Sequence, residues 1–96
     1  MTSIYLLSDE QFDDMKHAIG FRSDRIKGRI HRKYESFRNY YTTCGDNKSW
    51  DDLATQGLAI KRDFQGGGEG AKIYFVSDDG IKFLSKMLDV QITESR

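Results

Sequence analysis

The chain has 96 residues, enough for one domain with a modest core and no room for a second. A single cysteine, Cys44, excludes an internal disulfide and a cysteine-pair zinc site, and no apolar run nears the ~20 residues of a membrane span. Fifteen Lys/Arg balance fifteen Asp/Glu, so overall charge selects no partner.

In chain order, residues 3–7 (SIYLL) read as a strand or an N-terminal arm. The run is too short, and lacks the basic start, for a signal peptide, so a cytoplasmic protein is expected. Ser8-Asp9-Glu10-Gln11 is a capping box, in which the Ser hydroxyl takes a first-turn amide and the Gln side chain reaches back. Leu7 and Phe12 fit a hydrophobic staple across it. Phe12, Met15 and Ile19 give one apolar face, and Gly20 is a natural stop.

Ile26, Ile30, Tyr34, Phe37 and Tyr41 recur at spacings of four, four, three and four. That period predicts a second helix over 23–37, with Gly28 costing about 1 kcal/mol relative to Ala. Residues 38–43 (RNYYTT) predict a short strand and 44–48 a turn. Ser49 is the expected cap of the next helix, with Asp51 and Asp52 in its first turn, Trp50, Leu53 and Ala54 facing inward, and Gly57 ending it.

Residues 58–64 (LAIKRDF) predict a strand, 65–70, with four glycines, a loop, and 72–76 (KIYFV) a further strand. Ser77-Asp78-Asp79 caps a last helix with Ile81, Leu84, Met87 and Leu88 as its core stripe. Residues 90–96 read as a frayed tail. The expected architecture is one α+β domain over 1–96, helices with a short antiparallel sheet.

Charge is unevenly placed. Between positions 22 and 38 stand seven Lys/Arg against Asp24 and Glu35, so the segment carries +5 and the remainder −5. Such a segment can meet a polyanion locally. Its interleaved Tyr34, Phe37, Tyr40 and Tyr41 could stack bases, although Tyr34, Phe37 and Tyr41 sit on the helical apolar stripe and are more simply core. Arginine is also enriched in protein interfaces. The candidate macromolecule-binding set is Arg22, Arg25, Lys27, Arg29, Arg32, Lys33 and Arg38, with Lys61, Arg62 and Lys72 flanking the glycine turn.

That turn is not a phosphate loop. No Ser or Thr follows Lys72, and a strand rather than a helix comes next. His17, His31 and Cys44 form no nucleophile–base arrangement in the sequence. The carboxylate pairs Asp51-Asp52 and Asp78-Asp79 suit helix starts. No enzyme, cofactor or metal is therefore expected.

The block helix–Gly57-Leu58, strand, glycine turn, Ile73-Tyr74-Phe75-Val76 strand, then Ser77-x-x-Gly80 resembles the C-terminal half of a winged helix. The resemblance covers about forty residues. It implies a wing at 65–72 and a groove-reading helix at 49–56, where Asp51 and Asp52 would meet phosphate repulsion. The whole chain is also similar to small phage and prophage proteins. The residues that carry this are His17-Ala18-Ile19-Gly20-Phe21, Phe37-Arg38-Asn39-Tyr40-Tyr41, Trp50 with Leu53, and Gly57-Leu58-Ala59. The resemblance implies an origin more than an activity; together with the small size and the acidic and basic surfaces on one neutral chain, it leads to the expectation of a non-enzymatic accessory protein in the host cytoplasm, monomer or homodimer. Its partner would be a host protein or nucleoprotein, for instance in an inhibitor of CRISPR defence. The alternative is a nucleic-acid-binding module using 22–38 and the wing.

Overall fold

The computed structural model describes residues 5–94 apart from His31 and Phe37. In chain order these form α1 (Asp9–Ala18), a 3-10 turn (Ser23–Arg25), β1 (Lys33–Ser36), β2 (Tyr41–Thr43), α2 (Lys48–Thr55), β3 (Ala59–Asp63), β4 (Lys72–Val76), α3 (Asp78–Leu88) and β5 (Gln91–Glu94). The domain is α+β. β2, β4 and β3 make an antiparallel sheet with β4 central, and β1 pairs β5 in parallel. The short antiparallel sheet is the one the sequence leads to expect, and the parallel β1–β5 pair adds to it.

α1 begins as the sequence predicts. Ser8 Oγ accepts from Gln11 N at 3.1 Å and Gln11 Oε1 accepts from Ser8 N at 2.8 Å. Gln11 Nε2 also donates to Ser49 O and Asp52 Oδ2, so one buried amide ties α1 to α2.

The end of α1 is more consequential. A helix leaves its last carbonyls without intrahelical donors. Four consecutive carbonyls here, from His17 to Gly20, take donors from alternate residues of 34–40. Tyr34 Oη donates to Gly20 O, Ser36 Oγ lies 2.9 Å from Ile19 O, Tyr40 N donates to Ala18 O at 3.1 Å, and Arg38 Nη2 to His17 O at 2.7 Å. Tyr34 and Ser36 point the same way because alternate residues of a strand do. The predicted helix over 23–37 is therefore absent. Gly28 sits at φ 92°, in the left-handed region, and Ile30 is 88% exposed. Tyr34 and Ser36 are buried while Lys33 and Glu35 face solvent, which is strand alternation. The Phe37 position in the predicted stripe, the His31 position, and all of the 3–7 run except Tyr5 to Leu7 lie outside the described residues.

The expected tail is corrected over 90–94, the last described residues. Ile92 is buried beside Tyr34, and Gln91 N donates to Arg32 O at 2.8 Å. Apolar burial on one face of a four-residue strand is the reason it pairs instead of fraying.

β2 is shorter than predicted, and Asn39 explains how its ladder continues. Its register places Asn39 opposite Val76. The Asn39 side chain, not its backbone, accepts from Val76 N and donates to Val76 O, each at 2.8 Å. Gln56 treats Leu6 the same way, at 2.8 Å in both directions.

α2 starts two residues earlier than predicted. Asn47 is the cap, its Oδ1 accepting from Trp50 N at 3.1 Å. Gly57 ends the helix at φ 82°, with Gly57 N bonded to Ala54 O and Leu58 N to Leu53 O. These two bonds are a Schellman motif, and Leu53 and Leu58 are both fully buried beside it. Trp50 lies between Tyr41 and Tyr74, with ring centroids at 5.2 and 5.6 Å. Met15, Ile19, Leu53, Leu58 and Leu84 complete the centre of the core.

Ser77 caps α3, accepting from Gly80 N at 3.0 Å. Gly80 is required by packing. A Cβ there would collide with Leu58 O and lie 2.6 Å from Val76 Cγ1. Gly80→Ala should therefore cost about 1–3 kcal/mol in urea unfolding, despite Ala's better helix propensity. A neutral or stabilising result would contradict this packing.

Candidate macromolecule-binding surface

Residues 21–33 leave the end of α1 as an excursion. Lys27 and Lys33 exchange both main-chain hydrogen bonds at 2.8 Å, which closes a loop with Arg29 and Arg32 between them. Beside this closure the ribbon β1–β5 carries a groove of about 500 Å³. Its cations are Arg25, Lys27 and Lys33. Its other polar side chains include Glu35, Gln91 and Thr93. Three cations face one carboxylate, and Gln91 and Thr93 add hydrogen-bonding groups on the solvent side. Such a surface can hold an anion or a string of them by direct charge and by oriented donors.

The ten predicted residues fall in different settings. Arg25, Lys27 and Lys33 converge on the groove, and Arg29 is exposed on the loop. Among the described residues, these four and the half-buried Arg32 form no ion pair. Arg22 is exposed and pairs with Asp24 at 3.4 Å. Arg38 is a structural donor to the end of α1.

The cations beside the glycine turn are mostly engaged within the fold. Lys61 Nζ lies 2.7 Å from Asp46 Oδ1 and 3.0 Å from Asp51 Oδ1, and Lys72 pairs with Asp63. Arg62 is exposed, its Nη1 donating to Lys61 O.

The two aspartates of α2 are engaged too. Asp51 Oδ1 accepts from Tyr74 Oη at 2.8 Å, and Tyr74 Oη accepts from Asn47 N at 3.2 Å. Asp52 accepts from Gln11 and Gln56. The sequence presents Asp51 and Asp52 as repulsive charges at a helix start. In the fold they are acceptors for neighbouring donors.

Sequence reasoning did not find Glu35, Gln91 and Thr93. The alternation Gln91-Ile92-Thr93-Glu94 was the available signal, but four residues at a chain end are too short a pattern to separate strand from tail. His17 is exposed, its ring edge-on to Tyr41 at 6.2 Å, and Cys44 is exposed and free. Among the described residues no three His, Cys, Asp or Glu side chains gather to hold a metal ion, and no helix is long and apolar enough to cross a membrane. In comparisons with known proteins, the chain matches no family model, no curated protein and no solved structure.

The Asp51 carboxyl is held below the ordinary carboxylate value by the Lys61 ammonium first and the Tyr74 hydroxyl second, against a smaller opposing effect of burial. Lys61 is pushed up by Asp46 first and then Asp51. A carboxyl lowered on folding contributes stability that is present above its unfolded value, near 4, and is lost as pH falls through the folded value. The stability difference between the native chain and Asp51→Asn should therefore narrow as pH drops from about 5 to about 2, measured by urea unfolding. A difference independent of pH would contradict the contact.

Proposed function

We propose that this chain is a phage-type accessory protein that acts in the host cytoplasm by binding rather than by catalysis. Its target is a nucleoprotein of the kind that host defence systems such as CRISPR assemble. The observation that supports this reading best is the groove, where Arg25, Lys27 and Lys33 converge without ion pairs among the described residues, while Lys61 and Lys72 are tied into the fold. A nucleoprotein presents phosphates and acidic side chains together, and unpaired cations beside polar groups suit both. The small size and the resemblance to phage proteins motivate the biological setting.

A second reading, a winged-helix nucleic-acid-binding module, is favoured by the order α2, β3, glycine turn, β4, α3. The pairing of Lys61 and Lys72 with aspartates counts against a strong contribution from the wing, leaving Arg62 at its root.

The test is a comparison of the native chain with the triple reversal Arg25→Glu, Lys27→Glu, Lys33→Glu. Fluorescence anisotropy with labelled oligonucleotides should show binding that weakens as salt rises. The reversal should lower affinity at least about tenfold and flatten the salt slope. In a host with active CRISPR defence, expression of the native chain should restore phage plaquing and the reversal should not. Unchanged oligonucleotide binding by the reversal would overturn the role of the groove. Unchanged plaquing would overturn the role in defence.

A further inference from the structure

The antiparallel sheet has a second face that the fold does not use. Ala59, Tyr74 and Val76 point into the core. Side chains alternate along each strand, so Ile60 and Arg62 of β3, Ile73 and Phe75 of β4, and Thr42 of β2 lie on the opposite face. The register sets Ile60 beside Phe75, and both Arg62 and Thr42 beside Ile73. Its continuation sets Tyr40 beside Phe75.

Tyr40 is 51% and Ile60 39% exposed, and Ile73 and Phe75 are half-buried. Among the described residues, none of these four belongs to the core cluster or packs against it. The face thus bears the aromatic residues Tyr40 and Phe75, set side by side by the register, with two isoleucines, Thr42 and one arginine. None of these named side chains is a carboxylate.

We propose that this face is a stacking platform for single-stranded nucleic acid, with bases on Phe75 and Tyr40 and a phosphate at Arg62. The inference deepens the function proposed above and rests on its nucleic-acid-bearing target. Charge and area select the occupant. Arg62 is the one charged group among these side chains, and it complements a phosphate. Three strands spaced ~4.8 Å apart offer a face of roughly 200–300 Å², well short of the ~800 Å² per partner of a stable protein interface. Two unstacked bases need only such an area. The β3 edge carries Lys61, Arg62 and Asp63, charges that disfavour pairing with a second copy. A duplex keeps its base faces stacked and cannot offer them to the rings.

The experiment uses the intact chain with a labelled oligothymidylate of about 15 nucleotides and a duplex of equal length, at several salt concentrations. The variants are Phe75→Leu and Tyr40→Leu, which keep apolar side chains and remove the rings, each checked for native near-ultraviolet circular dichroism. The native chain should prefer the single strand. Each ring variant should weaken that binding roughly 5- to 20-fold with an unchanged salt slope and leave duplex binding alone. Native affinity in both variants, or a native preference for duplex, would overturn the platform. Loss of binding in the Arg25/Lys27/Lys33 reversal together with native binding in both ring variants would retain the groove and remove the platform, and the converse pattern would do the reverse. A native dimer dissolved by Phe75→Leu, without effect on the oligonucleotide, would assign the face to a second copy and overturn the proposal.

Discussion

The carbonyls at the end of α1 constrain much of the fold. Buried polar groups of the main chain must find partners, and a helix end supplies several without any. Donors from Tyr34, Ser36, Arg38 and Tyr40 meet the four carbonyls from His17 to Gly20. Tyr34 and Ser36 reach these carbonyls from one face of the extended strand β1. Extension brings Tyr34 beside Ile92 and creates the β1–β5 ribbon. It also delivers Asn39 opposite Val76, where its amide prolongs the β2–β4 ladder. What lies between α1 and β1 is then an excursion, and it carries Arg25, Lys27, Arg29 and Arg32, which form no ion pair among the described residues.

A second junction governs which charges remain available. Tyr74 is fully buried, and its hydroxyl must be satisfied where it ends, beside α2. Asn47 N and Asp51 satisfy it, and Lys61 pairs with Asp51. The same contacts that hold α2 on the sheet thereby engage one cation of the hairpin and one carboxylate of the helix. Fold and recognition are separated in this way. Charges on α2, β3 and β4 mostly serve the fold, whereas those of the loop and the β1–β5 ribbon face solvent.

Much of this was legible from the residues. The Ser8 box, the strand at 72–76, the Gly57 stop and the Ser77 start are local signals, and each depends on a few neighbouring positions. The region 21–38 was not legible in the same way. Ile26, Ile30 and Tyr34 happen to fall at helical spacing, and the partners that override the period, the carbonyls of α1 and Ile92, are distant in sequence. The cap of α2 was displaced from Ser49 to Asn47 because both residue types can cap, and only the path of the turn decides. Of the candidate site, the cations Arg25, Lys27 and Lys33 were visible as composition. Their convergence with Gln91 and Thr93 was hidden in the β1–β5 pairing. The outer face of the sheet was hidden for the same reason, since Ile60, Phe75 and Tyr40 become neighbours only once β2, β4 and β3 are ordered.

The most direct test of the account is native-state hydrogen exchange at the amide of Tyr40. Its donation to Ala18 O joins the extended segment to the end of α1. The account predicts that this amide exchanges as slowly as the central amides of β4, through opening of the whole domain. Exchange at the rate of an unstructured chain, with β4 still protected, would contradict it.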